Sequence, residues 1–309
     1  MESKYTSRID FERSRAVLKS KLLNLMPEQG DYPMHFCNMS LYRRDVSDTE
    51  HIPIVYEPVL IIIAQGEKSV RIGADAQTYG DGSYFITGVD MPTACAVQGV
   101  SPAHPFLSLA LNLDRSLIAQ LAIEVSHLAA SREQSTCGAM IASLDEGLID
   151  AVLRLVELAE HPEHASALAP LIVREIHYRL LTGRFGAQLR SINLSGTPCN
   201  KIAQSILWLK ENYQQPLLID ELAHMAHMAP STFHKHFKEV TAMSPLQFQK
   251  RLRLERAQQL MLTQNLDASQ AALKVGYENL QQFSREYKRL FGDPPHRDIV
   301  KMRGRQESA

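Results

Sequence analysis

The order of apolar and polar positions changes character several times along the chain. Residues 1–31 read as a polar, helix-prone arm. Ile9, Leu18, Leu22-Leu23 and Leu25-Met26 give it a partial helical period, which Pro27, Gly30 and Pro33 stop. From 32 to 113, short β-rich runs alternate with turn signals. The runs 59–64, 69–72, 84–87 and 106–113 are punctuated by Gly66, Gly73, Gly80-Asp81-Gly82 and Gly88, a pattern that predicts a β-sandwich or small barrel. Between 114 and 185 the period turns helical. Asp114 is placed to cap a helix over 115–130, a second spans 144–160 up to His161-Pro162, and a third spans 168–181 up to Gly183. In the second, Leu148, Val152, Leu155 and Val156 share one face, suited either to the barrel or to a partner subunit. Residues 186–199, rich in Gly, Ser, Asn and Pro, have no sustained period and read as a linker. Residues 200–301 carry helical signals throughout, and 302–309 form a short tail.

The last hundred residues contain a repeat. Phe233, Phe237 and Lys238 answer to Phe283, Tyr287 and Lys288, and Pro245 answers to Pro295, each offset by 50 positions. Each half reads as helix, tight turn, helix. In the first, Asp220 caps the leading helix, the turn is Met228-Ala229-Pro230, and the second helix starts at Ser231. In the second, Ser269 caps the leading helix, the turn is Gly276-Tyr277-Glu278, and Asn279 opens the second helix. Two short helices locked by apolar side chains across a small turn make a helix-turn-helix. The aromatic residues at i, i+4 form the lock. The outward faces are then Ser231, His234, Lys235 and Lys238 in the first half, and Gln281, Gln282, Arg285 and Lys288 in the second. Glutamine can bond adenine bidentately and arginine can bond guanine. Ser231, His234, Lys235, Gln281, Gln282 and Arg285 are therefore the candidate base contacts. Lys238 and Lys288, nearer the helix C-termini, are candidate phosphate contacts. A long helix from Pro245 to Leu262 joins the halves; its Arg251, Arg253 and Arg256 could touch phosphates, and Arg251 and Arg253 are added to the phosphate set.

Charge sharpens this picture. The whole chain of 309 residues has a net charge of -1, which by itself argues against nucleic acid. Residues 197–309, however, hold 16 Lys+Arg against 11 Asp+Glu, a balance of +5, and the remainder holds 17 against 23, a balance of −6. A neutral total conceals an acidic body and a basic helical domain. The polar N-terminus and the lack of an apolar run near the ~18 residues of a membrane span predict a cytoplasmic protein without a membrane segment. Cys37, Cys95, Cys137 and Cys199 are widely spaced and form no zinc or disulfide pattern.

These residues resemble the AraC/XylS family of bacterial transcription regulators. The resemblance rests on Pro216-Leu217, Leu222-Ala223, Phe233 and Phe237-Lys238, Met243-Ser244-Pro245, Arg253-Leu254 with Ala257, Val275-Gly276-Tyr277, Phe283 to Lys288, and Phe291-Gly292 to Pro295. It covers roughly 200–300 and implies a DNA-binding unit with two helix-turn-helix motifs. Ala229 departs from the serine that the family usually places at the start of the first recognition helix. Glu57-Pro58, Gln65-Gly66-Glu67-Lys68, Tyr79 to Tyr84 and Asp90-Met91-Pro92 resemble the regulatory domain of one branch of the family. The implied fold is α+β and multidomain: an N-terminal cupin-like β-barrel with dimerisation helices, then the all-α DNA-binding domain. The branch includes regulators that respond to aldehydes and other small organic compounds. The implied function is a one-component activator working as a homodimer on double-stranded promoter DNA, in contact with RNA polymerase and controlled by a small, aldehyde-like or other organic effector.

In the sensor half, Tyr56, Tyr84, Phe85, Cys95, Phe106 and Leu107 are candidates to line an effector pocket, with core filling as the competing role. Cys37 or Cys95 would meet an electrophile only as an accessible thiolate. His35, His51 and His104 lack the H-x-H spacing of a metal site, and no nucleophilic or paired-carboxylate constellation stands out. No cofactor, metal or catalytic residue is expected. Two alternatives remain: a cupin-type enzyme with a C-terminal interaction module, which requires a metal triad, and an effector-independent DNA-binding protein, which requires a barrel filled by its own side chains.

Overall fold

The computed structural model describes residues 2–125 and 138–307. Its strands are β1 (Gly30–Met34), β2 (Met39–Arg44), β3 (Ile52–Tyr56), β4 (Val59–Gln65), β5 (Glu67–Ile72), β6 (Asp75–Gly80), β7 (Ser83–Thr87), β8 (Met91–Gln98), β9 (Phe106–Asn112) and β10 (Ala139–Ser143). They form two antiparallel sheets, one ordered β1-β2-β9-β4-β7-β10 and the other β3-β8-β5-β6. Side chains from the two sheets meet between them. The Phe85 ring lies 5.8 Å from that of Tyr56 and 6.1 Å from that of Tyr79. Phe85 therefore marks the inner face of the larger sheet.

Strand alternation then sorts every neighbour. Ile61 is paired with Phe85 and Ala110, Tyr42 with Ser108 and Arg44 with Phe106, so these residues share the inner face. Leu60, Ile62, Leu107, Leu109 and Leu111 point the other way and are buried beneath helices. The first of these is α1 (Glu2–Leu25), which packs on β4 and β9. Its Leu18 and Leu22, with Met26 just past its end, recur every four residues and are buried. The expected N-terminal arm is thus anchored along its second half. Arg43 reinforces the anchor by donating to the carbonyls of Met26 and Pro27.

Helices α2 (Arg115–Glu124), α3 (Glu146–Glu157) and α4 (Pro162–Thr182) follow the barrel. Asp114 caps α2 by accepting from the amides of Ser116 and Leu117, as its position predicts. The part of the first expected helix beyond 125 lies outside the described residues. Two expectations need correction. Residues 139–143 fall in the stretch expected to be helical, yet they pair with β7 as an edge strand, since a five-residue run has no helical period to assert. Pro162, expected to end a helix, starts one: with no amide hydrogen to lose, it suits the first turn of α4.

The expected linker is also corrected. Residues 186–193 form a helix, α5 (Gly186–Asn193), with Leu189 and Ile192 buried. Eight residues make only two turns, too few for a period to show in a segment of this composition. The fit is tight: a Cβ on Gly88 would lie 2.8 Å from the Ile192 side chain. Arg190, also buried, donates to the Leu181 carbonyl at the end of α4. The chain then enters α6 (Pro198–Glu211), capped by Thr197.

One ion cluster joins these parts. Asp90, between β7 and β8, is fully buried. Its carboxylate receives Arg115 Nη2 of α2 at 2.5 Å and Lys210 Nζ of α6 at 2.7 Å, and Lys210 also meets Glu57 at 2.5 Å. A buried charge without partners is expensive, so each partner needs the others. Asp90→Ala should cost about 2 kcal/mol in urea denaturation, below the ~3–5 kcal/mol of a fully buried pair because both cations are about a third exposed. An unchanged urea midpoint would refute the joining role.

Candidate nucleic-acid interface

The C-terminal repeat folds as two helix-turn-helix units joined by a long helix. The first contains α7 (Ile219–Met225) and α8 (Pro230–Thr241), and the second contains α10 (Ala268–Lys274) and α11 (Leu280–Phe291). Between them runs α9 (Pro245–Thr263), and α12 (Pro295–Glu307) follows. Phe233, Phe237, Phe283 and Tyr287 are buried, with centroids 5.7 Å apart in the first pair and 5.6 Å in the second. Phe248 of α9 meets Phe237 edge-on at 5.5 Å. Two expected caps are displaced. Asp220 lies inside the first turn of α7 and Leu218 takes the cap position, while Asp267 caps α10 in a capping box with Gln270, two residues before the expected Ser269. Asn279 caps α11 by accepting from the Gln282 amide. Ala229 supplies no side-chain cap to α8.

The turn glycine of the second unit is obligatory. Gly276 has φ +88°, and a Cβ there would lie 2.3 Å from the Gln214 carbonyl oxygen. At the C-terminus of α8, Ala242 takes φ 59° where the second unit places Gly292 at φ 85°, the same 50-residue offset.

The proposed reading faces are open. Ser231, His234, Lys235 and Lys238 on α8 are exposed, as are Gln281, Gln282, Arg285 and Lys288 on α11. Two of the cations are loosely held: Lys235 lies 4.0 Å from Glu239, and Arg285 Nε reaches its own helix carbonyl at Gln281 at 3.4 Å, while Gln282 Nε2 donates to Glu286 at 3.2 Å. The opposite end of α8 is held by the barrel. The Val240 carbonyl accepts from the Gly138 amide at 2.9 Å, and a Cβ on Gly73 would lie 2.8 Å from the Ala242 carbonyl oxygen.

Arg251 and Arg253 are not free phosphate contacts, which corrects the expectation. Arg253 donates from Nε to the Tyr213 carbonyl at 2.6 Å, from Nη1 to Gly276 at 2.9 Å, and from Nη2 to Gln214 and Gln215 at 3.0 and 2.9 Å. It ties the segment after α6 to the turn of the second unit, spending on carbonyls the donors that a phosphate would need. Arg251 pairs with Glu255 at 3.1 Å and donates to the Thr93 carbonyl of β8, so it joins the DNA-side helix to the barrel.

The sensor candidates divide by sheet face. Tyr56, Phe85, Cys95 and Phe106 lie on inner faces. Tyr84, paired with Ile62, and Leu107, paired with Arg43, lie on the outer face and cannot line a barrel cavity, which removes both from the expected pocket. Lys68, quoted above only as part of a motif, joins the inner set: it is paired with Tyr79 and its Nζ donates to the Tyr56 hydroxyl at 2.7 Å. A separate cleft of about 260 Å³ lies outside the barrel, lined by His35, Cys37, Leu111, Asp114, Pro170 and Val173 among others. Burial pushes the Cys37 thiol up to about 11, so it stands there protonated. His51 contacts Ser69 and Arg71, and His104 lies in an exposed turn. Among the described residues no group of three or more His, Cys, Asp or Glu is placed to hold a metal. Among them, too, no helix is long and apolar enough to cross a membrane.

Comparison with known proteins bears on this arrangement. Residues 36–188 match the model of the AraC-type transcriptional regulator N-terminus, and residues 222–298 match that of a helix-turn-helix domain. The chain belongs to the AraC/XylS family of transcription regulators. This is a family of regulators, not of enzymes. Among curated members, the HTH-type transcriptional regulator ArgR of Pseudomonas aeruginosa is 28% identical over 170 residues, which is 55% of this chain and 49% of ArgR. The HTH-type transcriptional activator RhaS of Salmonella paratyphi A is 25% identical over 158 residues, 50% of this chain and 55% of RhaS. The chain thus spans about half the length of the curated relatives it matches. Among solved structures, ToxT of Vibrio cholerae with a bound unsaturated fatty acid superposes with a TM-score of 0.56 at 11% identity, covering 89% of this chain and 97% of ToxT. The likeness is one of fold, with both the sheet domain and the helical domain included.

Two outcomes follow from the joining residues of this family member. Arg253→Met should destabilise the protein by about 1–2 kcal/mol in urea melts, because the part-buried Gly276 carbonyl loses its arginine donor and Tyr213 keeps only Gln249. The salt dependence of DNA binding should stay unchanged. A shallower salt slope at unchanged stability would restore Arg253 to the phosphate set. Burial raises the Glu255 carboxyl to about 7, opposed by Arg251. The folded state therefore holds this proton more tightly than the unfolded chain, and stability should fall as pH rises from about 4.5 to about 7. Glu255→Gln should flatten that part of the pH–stability curve and gain on the order of 2 kcal/mol at pH 8. An unaltered curve would refute the assignment.

Proposed function

We propose that this protein is a one-component transcription regulator that binds double-stranded promoter DNA through α8 and α11. The observation that carries this reading is the pair of exposed faces on a 50-residue repeat: hydroxyl, imidazole and lysine on α8, two glutamines and an arginine on α11. Each face is backed by a buried aromatic pair, and the two helices are spaced by a rigid helix of 19 residues, about 28 Å long. Ser231, His234, Lys235, Gln281, Gln282 and Arg285 read base edges, and Lys238 and Lys288 meet phosphates.

The N-terminal domain binds a small organic effector. Support comes from the fold shared with ToxT, which has been seen with an unsaturated fatty acid and with (E)-4-(8-methylnaphthalen-1-yl)but-3-enoic acid. The protein acts as a homodimer. Leu168, Leu171 and Tyr178 on α4, with Ile123 on α2, supply an exposed apolar face for the contact. The bound dimer activates transcription through RNA polymerase.

Fluorescence anisotropy of the full-length protein on its own promoter DNA tests the reading. Lys238→Ala and Lys288→Ala should each weaken binding to all sequences alike and lower the slope of log affinity against log salt by about 0.9. Arg285→Ala and Gln281→Ala should instead cost about 1–3 kcal/mol of discrimination between operator and scrambled DNA. Discrimination unchanged in both variants removes α11 as a reading helix.

A further inference from the structure

Lys68 lies on the inner face of the smaller sheet, two residues from buried Val70 and opposite Tyr79. Its ammonium donates to the Tyr56 hydroxyl at 2.7 Å and sits 5.3 Å from the centre of the Tyr56 ring. The Tyr56 oxygen is in turn 3.5 Å from Cys95 Sγ, which is 3.7 Å from Thr93 Oγ1. No described carboxylate forms an ion pair with Lys68. Arg44, on the facing inner side of the larger sheet, is already paired with Asp31 at 2.5 Å. Asp48, which attracts Lys68 from a longer range, is engaged by the Val97 amide at 2.8 Å. Burial lowers the Lys68 pKa, as expected for a cation lacking a counter-ion.

The surroundings of this cation are apolar on one side and open on another. Ile61, Ile63, Val70, Tyr79, Phe85 and Phe106 form buried walls on the inner faces. On β3, which is the edge of its sheet, Ile52 and Ile54 share the inner face with Tyr56 through their pairing with Cys95 and Thr93. They are nevertheless 47% and 38% exposed. Inner-face isoleucines that reach solvent mark the side on which the sandwich opens. A cation with no ion-pair partner among the described residues thus lies two strands in from this partly exposed apolar edge, which α9 and α11 also touch.

We propose that the barrel binds a small carboxylate through Lys68, with the Tyr56 hydroxyl as second donor and the aliphatic body of the ligand entering past Ile52 and Ile54. This rests on the effector reading above and names the chemical class of the effector. The carboxylate supplies the charge that Lys68 lacks, and the lysine and tyrosine donors can both reach one carboxylate group. Sugars and other neutral polyols would leave the cation uncompensated.

The test uses the full-length protein and straight-chain carboxylates from butanoate to decanoate, each beside its neutral amide. Isothermal titration calorimetry should show at least one acid binding about tenfold or more tighter than its amide. Lys68→Met should erase that difference, Lys68→Arg should keep part of it, and Tyr56→Phe should reduce it. The melting temperature of Lys68→Met should be equal to or above that of the wild type, because an uncompensated buried charge has been removed. An acid–amide difference that persists in Lys68→Met, equal binding of acids and amides, or no binding of any acid overturns the proposal. So does a clear fall in melting temperature, which would make Lys68 a structural residue. Promoter binding measured on the same samples reports separately on the regulator reading. Amides that bind as well as acids remove the carboxylate class and leave an effector site standing.

Discussion

The buried Asp90 carboxylate is the constraint around which the two halves are arranged. It belongs to the turn between β7 and β8, yet its partners come from the first helix after the barrel and from α6, the helix that precedes the first helix-turn-helix unit. Burial makes the charge costly, and that cost is offset only while Arg115 and Lys210 are both in place. The relative position of sensor and DNA-binding domain is therefore part of the folded state of the barrel itself. The apolar core agrees with this. One buried cluster runs without interruption from α1 through both sheets to Phe248 and Leu252 on α9, while the second helix-turn-helix unit has a core of its own around Phe283 and Tyr287.

That asymmetry gives the molecule a natural line of communication. The first unit is continuous with the sensor through α6, the Gly138–Val240 backbone contact and Arg251. The second is attached through α9, through contact of α11 with β3, and through Arg253, which binds the segment after α6 to the turn at Gly276. A ligand that shifts β3 or β8 acts directly on the strands that Arg251 and α9 touch. It can alter the spacing of α8 and α11 only to the extent that it prefers one arrangement over another.

Much of the C-terminal half was legible because its signals are local. The aromatic pairs at i, i+4, the turn residues and the 50-residue offset specify two similar units whatever surrounds them. The exposed faces could be read by subtraction. Arg251 and Arg253 were misassigned for a physical reason. An arginine on a helix looks the same whether it faces phosphate or the carbonyl ends of another helix, and those carbonyls come from residues 213–215, nearly 40 positions away. In the sensor half, β5 and β7 were partly visible as short runs, but the face each residue takes was not. Tyr84 and Phe85 are adjacent and equally aromatic. Only pairing with β4, and the contact of Phe85 with Tyr56 across the two sheets, puts one inside and the other under the helices.

The chain by itself determined where the DNA-binding units lie, which side chains lock them and which face outward, because helical periodicity and turn chemistry act within a few residues. It also determined the division of charge between an acidic body and a basic domain. Tertiary structure alone decided which polar residues were committed to holding the molecule together. Asp90, Lys210, Arg115 and Arg253 have partners distant in sequence, and burial turns those partnerships into requirements. It also decided that Lys68 stands within the barrel with no ion-pair partner among the described carboxylates. The run legible in the sequence begins at Ser69, one residue past that lysine, and only the pairing of β5 with β6 and β8 and the closing of the two sheets put Lys68 on an inner face.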